Sequence, residues 1–161
     1  MFFKRILIVA LLWAFAVLPL SASMVSFLII EEGVSQSAPA GDISFLWEGG
    51  LMGAFFDAGF IVSNSPVLRV NKISNGELPE EAMSEFQFAA TGGAEYFVLA
   101  VMEHQNLNGR IRPVEVKIKI FSTNSQTLIF EQGFPTGRGS NSSEEFALAQ
   151  QAARVVAAHL R

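Results

Sequence analysis

The chain has no cysteine. That absence excludes disulfides, thiol catalysis and cysteine-ligated metals together. It excludes a lipid anchor as well, because a bacterial lipoprotein needs a cysteine just after its signal. Histidine is scarce: His104 and His159 are the only two. A metal or acid–base centre built on either would need further converging ligands. Glu103 and His104 are neighbours on an extended segment and point to opposite faces, so His104 reads as a surface-loop histidine. His159 ends a helix, where positive charge suits the dipole. No Gly-x-Ser-x-Gly elbow occurs, and no glycine-rich run ends in Lys-Ser/Thr, so neither a serine-hydrolase elbow nor a P-loop is present. Lysine and arginine form no block, and the net charge is −4. Nucleic acid and anionic membranes are disfavoured as partners by that balance.

Long apolar runs are also missing. The longest, Ile6 to Leu18, has 13 residues, short of the roughly 20 that a membrane-spanning helix needs. Its surroundings give it another meaning. Lys4 and Arg5 precede it, Pro19 breaks it, and Ser21-Ala22-Ser23 supplies small residues where a signal peptidase cuts. Residues 1–23 are therefore expected to be a signal peptide cleaved after Ser23, with retention as an N-terminal anchor as the alternative. The 161 residues less these 23 leave 138, enough for a single domain over 24–161 with a real core. Nine basic residues then stand against fifteen acidic ones, a mature charge of about −6. The 15 phenylalanines suit an exported domain that has no disulfides to hold it.

Periodicity supplies the elements. Met24 to Ile30 reads as a buried strand. Ser44 to Ala58 reads as a helix through Trp47, Leu51, Phe55 and Ala58, capped by Asp42 or Ser44 and ended at Gly59. Gly49, Gly50 and Gly53 disfavour a helix by up to ~1 kcal/mol each, and so point either to close backbone packing or to a helix start later than Ser44. Phe60 to Val62 begins a second strand, with Pro66 to Val70 as its continuation or a separate piece. A helix follows with Pro79 at its first position, Glu80 and Glu81 in its first turn, and Met83, Phe86 and Ala90 inward. Tyr96 to Met102 has no alternation and is expected to be a central strand covered on both faces. Arg112 to Phe121 alternates and pairs in a hairpin with Thr127 to Phe134. A last helix runs from about Ser143 to Leu160, with a stripe of Phe146, Ala149, Ala153, Val156 and Leu160. Candidate caps are Asn141, Ser142 and Ser143. The expected fold is α/β (mixed α+β): one mixed sheet of about five strands packed by three helices, in the order β-α-β-α-β-β-β-α.

Three stretches in this order carry a resemblance. They are Phe55 to Val62 through Asp57-Ala58-Gly59-Phe60, Gly93-Ala94-Glu95-Tyr96-Phe97-Val98-Leu99, and the hairpin from Val114 to Phe130 with its Ser-Thr-Asn-Ser tip. Together they resemble the small periplasmic α/β domain at the N-terminus of TolB, whose architecture is related to that of CsgG and LpoB. The resemblance covers nearly the whole mature chain, although no propeller follows and no lipobox cysteine is present. It implies a periplasmic or secreted module that contacts another envelope protein. No site residue carries over from it.

Two regions stand out as candidate sites. Gly137, Arg138, Gly139 and Ser140 precede a helix, so their amides form a candidate anion-binding loop; a flexible loop with an N-cap is the plainer reading. Phe121 and Ile129, with Lys117 and Lys119, form a candidate partner surface on the wet face of the hairpin; coverage of that face by the last helix through Phe146 and Leu148 is the alternative. Glu80, Glu81 and Glu85 read as a solvated face. The polar loop from His104 to Arg112 reads as a plain connection. No catalytic residue, metal ligand or cofactor is expected. The function expected is a non-enzymatic protein-interaction module of the envelope, with a small ligand-binding domain or enzyme using residues 137–143 as the alternative. A shallow surface with an exposed apolar groove would favour the first, and a deep pocket with converging Arg138, His104 and acids the second.

Overall fold

The computed structural model describes residues 22–35, 41–137 and 141–160. The expected signal segment up to residue 21 and Arg138, Gly139 and Ser140 of the candidate anion loop lie outside the described residues. The elements are β1 (Met24–Glu32), α1 (Asp42–Asp57), β2 (Ile61–Asn64), β3 (Leu68–Val70), α2 (Glu80–Thr91), β4 (Tyr96–Leu107), β5 (Arg110–Ser122), β6 (Thr127–Pro135) and α3 (Ser142–Ala158). They build one mixed sheet in the order β2-β1-β4-β5-β6, with β3 following β2 along the same side of β1. The α/β class is as expected. The strands number six because the second one divides: β2 pairs with Met24 to Phe27 of β1, and β3 with Ile30 to Glu32. Pro66 stands between the two pieces, and a proline cannot donate to a ladder.

The helical crossovers make β1 parallel to β2, β3 and β4, while β5 and β6 return antiparallel. β1 and β4 are thus internal, and Phe97 to Met102 is buried throughout, which is why that run shows no alternation. One face of the sheet carries Val25, Phe27, Ile29, Val98, Ala100, Met102, Val116, Ile118 and Ile120, covered by α1 and α3. The other carries Leu28, Ile30, Phe97, Leu99, Val101 and Phe121, covered by α2 and by Ile73 and Leu78 of the segment before it.

Glycine explains how two helices share the first face. A Cβ built on Gly50 would lie 2.7 Å from the Ala149 Cβ and 3.1 Å from the Gln150 nitrogen. The backbones of α1 and α3 therefore touch at this point, and only hydrogen fits between them. Trp47 lies against Glu145, Gly50 against Ala149, and Asp57 near Arg154 and Ala158. These pairings advance together along both helices, so α1 and α3 run parallel. Gly59, with φ of +90°, follows the α1 C-cap at Ala58, as its place in the sequence requires.

The helix starts differ from expectation. The α1 N-cap is Gly41, without a side-chain cap, because the Ser44 hydroxyl turns inward to Glu31. Pro79 is the N-cap of α2 rather than its first residue, and the Ser74 hydroxyl accepts the Glu80 N–H at 2.8 Å. The inward face of α2 is Ala82, Phe86 and Ala89, one residue away from the expected Met83 and Ala90, both of which are exposed. Asn141 caps α3, its side-chain oxygen accepting the Glu144 N–H at 3.0 Å.

Candidate interaction surface

Two buried carboxylates are the first groups to test for chemistry. Glu31, at the end of β1, accepts hydrogen bonds from the Ser44 hydroxyl, from the Gly41 N–H at 3.2 Å and from the Arg69 guanidinium at 2.7 Å. Burial pushes its carboxyl up, but the bonds from Ser44, Arg69 and Gly41, with the charge of Arg69, outweigh that and hold it below the ordinary range. Glu145, in the first turn of α3, accepts from the Trp47 indole at 2.9 Å, from the Thr136 hydroxyl and from the Gly137 N–H at 3.3 Å. Both carboxylates are closed by internal donors. Glu31 ties β1, α1 and β3, and Glu145 ties α1, α3 and the end of β6. Among the described residues, no group of three or more His, Cys, Asp or Glu is placed to hold a metal.

The structure separates the residues that the sequence singled out. Phe121 is 2 % exposed and packs edge-on to Phe86 of α2, ring centroids 6.2 Å apart. The covering helix is therefore α2, on the opposite side of the sheet from Phe146 and Leu148 of α3. Lys117 reaches Glu103 at 3.5 Å, and the Lys119 ammonium donates to the Glu77 carbonyl at 3.0 Å, pinning the segment before α2 across the sheet. Ile129 is 46 % exposed. It falls in the register shift where Ile120 faces Phe130 and Phe121 faces Leu128, so it is the unpaired residue of a bulge. The four residues thus form no common surface. In the anion loop, Gly137 has φ of +68° and gives its amide to Glu145.

Glu80 of α2 is exposed, as expected of a solvated face, but Glu81 and Glu85 are ties. Glu81 accepts from the Ser74 N–H and hydroxyl, and Glu85 accepts from the Ser65 hydroxyl at 2.5 Å. Burial raises the Glu81 carboxyl, but its own N–H and the bonds from Ser74 together outweigh that and hold it below the ordinary range. His104 places its Nδ1 3.2 Å from the Glu32 and Met102 carbonyl oxygens, so it lies on a strand at a register shift rather than in a loop.

A small cleft beside Asp57 and Arg154 is partly polar, and the other open clefts are mainly apolar. Along the outer side of α1, Phe45 is 55 %, Met52 39 % and Phe56 72 % exposed, and Ile61 on the neighbouring edge strand β2 is 54 % exposed. Residues 45, 52 and 56 recur at helical spacing and share one stripe. Between helix and strand runs an open groove of about 600 Å³, lined by Gly49, Met52, Gly53, Phe56, Phe60, Ile61 and Val62. The glycines make part of its lining backbone. At the opposite edge, β6 and α3 enclose a second cleft of about 320 Å³, with Phe134, Pro135, Leu148, Ala152 and Val155 in its wall. Both open on the side of the sheet covered by α1 and α3. The α1 stripe was readable in the sequence, since Phe45, Met52 and Phe56 fall off the inward set of Trp47, Leu51 and Phe55. The strand beside it was not, because nothing in the sequence says that Phe60 to Asn64 is an edge.

No family model and no curated protein sequence matches the chain. Solved structures do. PelC from Paraburkholderia phytofirmans, solved as a dodecamer, is similar with a TM-score of 0.51 and 14 % identity over 83 % of this chain and 86 % of PelC. A point variant of PelC, also a dodecamer, gives 0.52 and 13 % over 83 % and 87 %. The chain shares the PelC fold. TolB from Acinetobacter baumannii is similar with a TM-score of only 0.36 and 13 % identity, over 86 % of this chain and 27 % of TolB. Among the described residues, no helix is long and apolar enough to cross a membrane.

Proposed function

We propose that this chain is a non-enzymatic protein-interaction module of the cell envelope that assembles with copies of itself. The α1–β2 groove of one copy takes the β6–α3 edge of the next. The observation that carries this reading is the pair of apolar clefts at opposite ends of one sheet, both open on the same side. Exposed apolar surface of this kind is what a docking face presents. A contact between two different surfaces repeats from copy to copy, and closes into a ring where the rotation allows. The dodecameric state of PelC, which has the same fold, supports a second copy as the occupant. The N-terminal pattern of Lys4-Arg5, apolar run and Ser-Ala-Ser supports an envelope or secreted location, and intact mass of the exported protein should begin at Met24.

Sedimentation velocity over a range of concentrations tests the assembly. The parent should sediment above the monomer, and Phe56→Glu, which puts a charge on a side chain 72 % exposed, should sediment as a folded monomer. A parent that stays monomeric at high concentration contradicts the reading.

A further inference from the structure

The β4–β5 hairpin outruns the sheet that supports it. β1 pairs with β4 only as far as Glu103, and β6 pairs with β5 only back to Glu115. His104 still touches the Glu32 carbonyl and Pro113 lies against Gly137, but from Gln105 to Arg112 the two strands pair only with each other. The four residues from Gln105 to Asn108 at the turn extend it by roughly 13 Å, at about 3.3 Å per residue. Residues 105–112 are all exposed, with Leu107 at 47 % and Ile111 at 58 %. Gln105 faces Arg112 and Leu107 faces Arg110, so an apolar residue and two arginines share one face, while Ile111 lies with Asn106 on the other. No acidic residue occurs between Glu103 and Glu115. In a chain of net charge −4, this finger is locally cationic. Its apolar residues lie on both faces of the tip, and among the described residues nothing covers either. A rigid protein pocket would meet one face, whereas a fluid interface meets both.

We propose that the finger dips into an anionic bilayer surface. Leu107 and Ile111 enter the boundary between headgroups and acyl chains, and Arg110 and Arg112 bind lipid phosphates. The negative balance of the whole chain hides this, because its acidic side chains lie elsewhere. The proposal is independent of self-assembly through the α1–β2 groove.

Co-sedimentation of the protein recovered after export tests it. The probes are vesicles of phosphatidylethanolamine with phosphatidylglycerol, and vesicles of phosphatidylcholine alone. The parent should bind the first, release in high salt, and leave the second unbound. Arg110→Gln with Arg112→Gln should weaken binding roughly 25-fold, about fivefold for each arginine near the surface. Leu107→Ser with Ile111→Ser should abolish it. Neither pair should move the melting temperature or the sedimentation of the vesicle-free protein, since all four side chains are exposed. Failure of the parent to bind anionic vesicles overturns the proposal. So does equal binding to both vesicle types, undiminished binding by both double variants, or capture of polyglutamate without any capture of vesicles.

Discussion

Gly50 offers the sharpest test of the packing, because Gly53, three residues along the same helix, serves as its control. Alanine at either position gains the same helix propensity, up to ~1 kcal/mol over glycine. At Gly53 the new Cβ would meet only the end of the Gln150 side chain, at 3.8 Å, an ordinary contact with a group that can move. At Gly50 it would meet the Ala149 Cβ at 2.7 Å and the α3 backbone at 3.1 Å. Carbon atoms rest about 3.5–4.0 Å apart, so α3 must shift by about 1 Å, and with it the contacts of Ala149 and Ala153 on the sheet. Overpacking of this kind costs about 1–3 kcal/mol. Because the propensity gain is common to both variants, the gap between them isolates the clash. Thermal melts followed by circular dichroism, at concentrations low enough to suppress assembly, should place Gly53→Ala at or above the parent. Gly50→Ala should melt roughly 3–15 °C below Gly53→Ala, at about 3–5 °C per kcal/mol for a domain of this size. Equal melting of the two, or a more stable Gly50→Ala, would refute backbone contact between α1 and α3.

Val98, fully buried near the start of β4, should not tolerate charge: Val98→Asp should cost several kcal/mol and leave little folded protein by circular dichroism. The hairpin should respond unequally, with Phe121→Glu unfolding the domain through its lost contact with Phe86, and Ile129→Glu shifting the melting temperature by only a few degrees; a large loss in Ile129→Glu would place that side chain in the core. Glu31 has a folded pKa below its unfolded value near 4.3, so its contribution is present above that value and is lost as pH falls through the folded pKa. The melting temperature should therefore hold from pH 7 to about 5 and fall below about 4, and Glu31→Gln should flatten part of that acid limb; an unchanged acid limb in the variant would mean that the Glu31 cluster does not couple to folding.

The sheet and its helices were legible because each carries a period. The uninterrupted run from Phe97 to Met102 marks a doubly covered strand, the alternation from Val114 to Ile120 a strand with two unlike faces, and the glycines of α1 a close helix contact. The faces were harder. Phe121 follows Lys117 and Lys119 in the alternation, so it reads as wet, yet α2 supplies Phe86 above it. A pattern of period two says which residues share a side but not which helix lies over that side. Ile129 was placed beside Phe121 for want of any sign of the bulge, which depends on pairing rather than on residue type. The internal roles of Glu31 and Glu145 were equally hidden, since their donors come from positions 8 to 98 residues away in sequence. The apolar groove needed both a helix stripe and an edge strand, and only the stripe has a local signature.

The central claim, that two different edges of this domain meet, is tested most directly by mixing two variants with opposite defects. Phe56→Glu spoils the α1–β2 groove and leaves the β6–α3 edge intact; Val155→Glu spoils the β6–α3 edge, where the side chain is 38 % exposed, and leaves the groove intact. Each variant alone should sediment as a monomer, and an equimolar mixture should form a one-to-one dimer and nothing larger, because only one groove and one intact edge can meet per pair. A mixture that remains monomeric while the parent assembles, or a Val155→Glu variant that assembles as the parent does, would contradict it.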